Sequence, residues 1–286
     1  MSGAALSFAN RRKFSNYAWV GLSASLSVGI AAILLLIVLY VVISGIGAVN
    51  WAFLTQVPHP VGVPGGGVGN GILGSTIIIG IATLFALPVG LLTGIYLTLF
   101  APRPLADVLR FAADVLASVP SIAIGLFAYE VLVAPFHHFS ALSASFAFSV
   151  LMMPLIIRTT ESAIRLVPID MREAAVALGA TELQTLFRCI LVAARPGIMT
   201  GLILAVARVT GETAPLLFTA FGSQFWVVNP NQPMAELSLQ IFTYAISPYK
   251  IWHDQAWGGA LLLILAVLAL SLTARLLFRG KTTASL

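Results

Sequence analysis

The sequence predicts an all-α membrane protein with about six transmembrane helices, and three observations carry that prediction. Of 286 residues, 59% are hydrophobic and only 9% charged, against roughly 45–50% apolar and 25% charged in a soluble domain. No water-soluble interior holds such an excess. The apolar residues gather into six stretches, each within or above the roughly 17–25 residues that a spanning helix needs. Every Lys and Arg except Lys250 and Arg208 falls on one side of those stretches, the side of both termini. The positive-inside rule therefore puts both termini of this multi-pass chain in the cytoplasm.

Taken in order, Arg11, Arg12 and Lys13 precede the first apolar stretch, 20–47. It is much longer than the 7–15 residues of a signal-peptide core, so it reads as a retained first crossing. An external loop, 58–71, is rich in Gly and Pro. Its run Gly65-Gly66-Gly67-Val68-Gly69-Asn70-Gly71 tempts a phosphate-nest reading, but no Lys-Ser/Thr follows and the run simply leads into the second crossing, 72–100. The third crossing, 115–134, contains Ser118-Val119-Pro120-Ser121, where the missing backbone donor predicts a kink or break. The fourth crossing is 140–157 and the fifth 196–220. Between the fifth and the sixth, 257–278, an external loop at 223–256 carries Trp226, Tyr244, Tyr249 and Trp252. Such aromatics favour the membrane interface, so this loop is expected to fold over the outer mouth.

Several classes are excluded. The net charge of +5 is spread singly or in short clusters beside apolar runs, unlike a nucleic-acid-binding face. A single cysteine, Cys189, leaves no internal disulfide and no Cys-cluster metal site. The histidines at 59, 137, 138 and 253 lie in external loops without metal-ligand spacing. No metal and no cofactor is expected. Without a P-loop, a nucleophile beside a base, or carboxylates at catalytic spacing, no catalytic residue is expected either.

The cytoplasmic loop from Arg158 to Arg195 reads differently. Met171, Ala174, Ala175 and Leu178 repeat at i, i+3, i+4, i+7, the stripe of a short amphipathic helix. Gly179 stands where a left-handed cap wants glycine, and Thr181 with Gln184 has the spacing of a capping box. A second helix follows, with Leu183, Leu186, Phe187, Ile190 and Leu191 on one face and Pro196 placed as a first-turn proline of the fifth crossing.

Glu173-Ala174-Ala175, three residues, Gly179, and then Pro196-Gly197-Ile198 resemble the EAA loop of ABC importer permeases. That resemblance implies the type I (MetI-like) permease fold and makes Glu173, Ala174, Ala175 and Gly179 the element that docks on a cytoplasmic ATPase, within a coupling loop at about 167–195. The family often has a proline where this chain has Val192. Five further stretches, Gly65 to Ser75, Leu116 to Phe127, Met153 to Pro168, Ala207 to Ala220 and Pro233 to Pro248, resemble the PstA-type permease of bacterial phosphate importers. The likeness covers about residues 58–280. It implies a PstC-type permease partner, two PstB-type ATPase subunits, an external phosphate-binding protein, phosphate as cargo, and ATP hydrolysis outside this chain. It also implies two parts: a cytoplasmic N-terminus, first crossing and external loop at 1–70, and the importer transmembrane domain at 71–279. Importers of other oxyanions (sulfate, molybdate, phosphonate) share the class, and an ATPase-independent transporter or channel is the rival outside it.

Two sets of embedded charges are candidates for the substrate pathway. Arg208 sits about twelve residues from either end of the predicted fifth crossing, about 18 Å from each surface. A lone arginine there costs about 2.5–3.5 kcal/mol on the lenient scale, so it faces protein or water and needs a partner. Glu212 is four residues on. The two either neutralise each other within one helix or serve a passing anion, Arg208 by contact and Glu212 by positioning it. Arg158 and Glu161, with Arg165 a turn beyond, stand at the cytoplasmic end of the fourth crossing. They either line the inner exit or anchor the helix. Glu130, near an outer helix end, reaches water by snorkelling and is given no role.

Overall fold

A helix buried on nearly every side organises the molecule. In the computed structural model, which describes residues 3–277, that helix is α6 (Ala141–Arg165). Before it come α1 (Gly3–Gly45), α2 (Trp51–Thr55), α3 (Gly69–Leu99), α4 (Arg103–Ser118) and α5 (Ser121–Phe136). After it come α7 (Ile169–Ala177), α8 (Glu182–Thr210), α9 (Leu216–Thr219), α10 (Leu237–Ala245) and α11 (Lys250–Leu277). Five of these helices are long and apolar enough to cross a membrane: α1 from Asn16, α3, α6, α8 and α11 as far as Thr273. The pair α4 and α5 is apolar enough only when taken together and is bent by 98°, a broken span or a re-entrant loop, so the described residues hold five crossings or up to six.

Lipid gives little drive for apolar helices to associate, so close packing of small residues does that work. Gly90 and Gly94 of α3 bring its backbone onto Ile156 and Thr160 of α6, where an added Cβ at either glycine would stand 2.7 Å from its nearest neighbour. The matched order of these contacts makes α3 and α6 parallel. Gly197 and Gly201 of α8 meet Ala163 and Thr159, so α8 runs antiparallel to α6. Ile78, Ala82, Ala86, Ile124, Ala147, Phe148, Ala205 and Val209 close the core around that centre.

The structure alters the boundaries of four predicted crossings. The third crossing is not a straight helix over 115–134: α4 begins at Arg103 and stops at Ser118, and Pro120 caps a new helix in a new direction. The fourth does not stop at 157, because Arg158, Glu161 and Arg165 find partners and the helix continues to Arg165. The fifth starts at Glu182 and runs through Pro196, which is interior rather than first-turn. Within this helix a π-turn at Leu186–Ile190 precedes that proline by about one and a half turns, and the fifth crossing's C-terminal end also moves. The helix ends at Thr210, not 220, since Gly211 caps it and Pro215 forbids resumption of the ladder. The last crossing begins at Lys250, seven residues early; its predicted end at Phe278 lies outside the described residues, as do Arg279 and Lys281.

The external segment after α8 folds back as expected. Backbone N–H groups of Ala141 and Leu142 donate to the carbonyls of Gln232 and Pro230, and Asn70 donates to Ser223 O at 2.7 Å. Glu236 caps α10: its fully buried carboxylate accepts from Ser75 Oγ (2.9 Å), Ser238 Oγ (2.6 Å) and Leu239 N (3.0 Å). Burial pushes that carboxyl above its ordinary range, and the three donors oppose the push without cancelling it. Tyr244 stacks on Trp252 at 5.0 Å, which ties α10 to the start of α11.

Candidate functional site

The loop between α6 and α8 is built as its residues predict. After α7, Gly179 takes φ +83°, and Ala180 N–H donates to Ala175 O (3.1 Å) while Gly179 N–H donates to Val176 O (2.9 Å). This is the double-bonded left-handed cap that glycine adopts without strain. Thr181 and Gln184 then close their capping box in both directions, at 3.0 and 3.3 Å. Glu173 and Ala174 are exposed, Ala175 is half-buried, and no residue of α7 is buried. Leu178 at the tip is 89% exposed. The predicted single face of the second helix splits in two. Leu186 and Ile190 turn inward against Ile95, Ile164 and Ile198, whereas Leu183 and Phe187 are 65% and 63% exposed. The π-turn shifts the facing and divides them. The result is a rigid turn presenting apolar side chains away from the bundle.

Arg208 and Glu212 are not brought together. Arg208 is exposed in the last turn of α8, Glu212 lies beyond the helix end, and neither joins any ion pair among the described residues. The helix stops before the i+4 position that would have paired them. Arg208 is two residues from the end of α8 rather than near the middle of its crossing, but it lies level with the middle of the neighbouring helix. It follows Gly201, which meets Thr159, by seven residues, about 10 Å, so it stands about level with Met152 in the middle of α6. Glu212 is half-buried and its carbonyl accepts from Ser238 Oγ at 3.1 Å.

Arg158 and Glu161 do meet, but only at 3.7 Å, and each has a closer partner that the sequence reading missed. Glu161, 5% exposed, accepts from Arg110 Nε and from Arg165, both at 2.7 Å. Arg158 grips Asp114 with two nitrogens, Nε to Oδ1 at 2.9 Å and Nη2 to Oδ2. Arg110 also holds Asp107 (2.9 Å) and donates to Leu97 O on α3 (3.3 Å). The lattice has three arginines and three carboxylates, so it is neutral overall. One signal for it was present: Asp107, Arg110 and Asp114 are spaced i, i+3, i+7, the same interval as Arg158, Glu161 and Arg165, so each set lines one helix face.

A helical bundle with five or up to six crossings, a capped helical turn at one end and an exposed arginine level with the middle of α6 has the build of a membrane permease subunit of the ABC importer type. Residues 86–280 match the family model of the binding-protein-dependent transport system inner membrane component. The chain is 43% identical over 272 residues to the phosphate transport system permease protein PstA of Haemophilus influenzae, covering 94% of this chain and 96% of that one. It is 43% identical to the PstA of Yersinia pestis over 84% of this chain and 82% of the other. It is 36% identical to a probable PstA of Methanocaldococcus jannaschii over 72% of this chain and 73% of that one. Among solved structures, an inward-facing MetNI methionine ABC transporter aligns with a TM-score of 0.63 over 75% of this chain and 96% of that one, at 18% identity. The chain belongs to the binding-protein-dependent transport inner membrane component family, within its PstA group.

Proposed function

We propose that this chain is the membrane permease subunit of an ATP-driven importer that carries inorganic phosphate into the cell by alternating access. The observation that carries the reading is its likeness to PstA permeases along almost the whole chain. In this reading both termini are cytoplasmic, a second, PstC-type permease completes the pathway, and an external phosphate-binding protein delivers the cargo. Two PstB-type subunits hydrolyse ATP, and this chain is not itself an enzyme. Residues 71–279 form the transporting domain, and residues 1–70 precede it as N-terminus, first crossing and external loop.

Glu173, Ala174, Ala175 and Gly179 are the coupling residues. An exposed, doubly capped helical turn with no buried side chain suits a surface that another subunit covers. Arg208 contacts the translocating anion. An unpaired guanidinium at mid-depth requires water or protein around it, and a passing phosphate is the partner that its surroundings lack. Glu212, just past the helix end and anchored by the bond from Ser238 Oγ to its carbonyl, lines the same pathway and positions Arg208. Arg158 and Glu161 mark the inner end of the same route.

The test is radiolabelled phosphate uptake with competition by sulfate, molybdate and phosphonate, in cells and with Arg208→Ala at matched membrane abundance. Uptake competed by none of the other anions, and lost with Arg208→Ala, is expected. Strong competition by one of those anions would reassign the cargo, and normal uptake by Arg208→Ala would remove that residue from the pathway.

A further inference from the structure

The lattice between α4 and α6 has two unlike halves. Arg110 and Glu161 form its sheltered half, 23% and 5% exposed, and Arg110 extends to Leu97 O so that α3, α4 and α6 are tied at one point. Removing one partner of such a pair strands a buried charge, so this half is a fixed strut. Arg158 and Asp114 form the open half, 37% and 58% exposed. Ion pairs accessible to water contribute little and exchange readily. Arg158 is thus turned onto α4, its Nη2 also reaching Arg110 O at 3.4 Å, and away from Glu161.

The geometry points to Asp114 as the exchangeable counter-ion of Arg158: phosphate reaching the inner end of the route takes the place of the Asp114 carboxylate on the Arg158 guanidinium, and Asp114 returns to expel it. Asp114 and Arg110 are then positioning residues for transport. Asp114 sets how long Arg158 holds the anion, and Arg110, through Glu161, keeps the exchange site in place. A guanidinium fork matches a phosphate as well as it matches a carboxylate, so one can replace the other without moving the helix. The inference rests on the reading that Arg158 lies on the phosphate route.

The experiment uses the whole importer reconstituted in vesicles, with phosphate on the cytoplasmic side varied while inward transport is measured. In Asp114→Asn, Arg158 has lost its competitor, so cytoplasmic phosphate should inhibit transport at a concentration lower by roughly two- to fivefold, the value of one exposed ion pair. Asp114→Glu, which keeps the charge, should restore the original inhibition. A merely structural role would lower abundance or maximal rate and leave the inhibition constant where it was. An unchanged constant in assembled Asp114→Asn overturns the proposal, and Asp114→Ser serves the same purpose where the asparagine variant does not assemble. Arg158→Gln separates the two ideas. If it leaves transport and inhibition normal, the placement of Arg158 on the route fails; if it impairs both while Asp114→Asn changes nothing, only the exchange fails.

Discussion

Gly179 allows a test in which backbone and side-chain effects come apart. At φ +83°, with nothing within 4 Å of an added Cβ, any substitution there meets open space but an unfavourable backbone. The left-handed conformation costs an ordinary L-residue about 1 kcal/mol or somewhat more, a β-branched one more again, and asparagine less. One kcal/mol is roughly a fivefold fall in the population of the capped turn. The two bonds from Gly179 and Ala180 to Val176 and Ala175 depend on that turn. If the turn is what the ATPase subunits recognise, their retention on purification of the complex, and transport-coupled ATP hydrolysis, should fall in the order Gly, Asn, Ala, Val. The order is informative because asparagine is bulkier than alanine. A ranking by size, with Gly179→Asn worse than Gly179→Ala, would refute the conformational argument. Full ATPase retention by Gly179→Val would refute the coupling role of the turn.

Two further perturbations follow from the packing and the outer segment. Gly201 faces the Thr159 side chain with no room for a methyl group, so Gly201→Ala should destabilise the α6–α8 contact by about 1–3 kcal/mol, read as a lower unfolding midpoint in detergent, while Gly80→Ala, whose Cβ meets nothing within 4 Å, should be close to neutral. Burial raises the Glu236 carboxyl, so the folded state holds its proton more tightly than the unfolded state. Protection of residues 221–245 against hydrogen exchange should therefore increase as pH falls from neutral toward the carboxylate range, and Glu236→Gln should flatten that dependence. An increase with rising pH would contradict the sign.

What the sequence made legible followed from local chemistry. The apolar character of the spans, the caps at Gly179 and Thr181 and the break at Pro120 each depend on residue types within a few positions of one another, and the caps and the break appear where expected. What it hid depended on partners distant in the chain. The fall in hydropathy after Ile157 reads as a helix end, yet α6 continues for eight more residues because Arg110 and Asp114, some 50 positions earlier, neutralise its charges. The converse error arose at the C-terminal end of α8. Hydropathy stays high from Ile198 to Ala220, and only the backbone demands of Gly211 and Pro215 show that the helix stops between them. A window average registers apolar character and is blind to a missing N–H.

That stop has a consequence for how the proposed roles connect. With Pro196 read as a boundary, the loop helix and the fifth crossing are separate pieces, and a push on the loop is absorbed by the joint between them. The structure has instead a single 29-residue helix, about 43 Å long, from the capping box at Thr181 to the break at Gly211. The turn carrying Glu173 and Gly179 abuts its inner end, and Arg208 occupies its last turn. The π-turn and Pro196 interrupt its ladder in the N-terminal half, where Leu186, Ile190 and Ala194 remain packed on α3 and α6. Beyond Pro196 the helix is regular as far as Thr210. One element thus joins the turn to Arg208, and its last turn is seated through Ala205 and Val209 in the core beside Ile124 of α5 and Leu216 of α9.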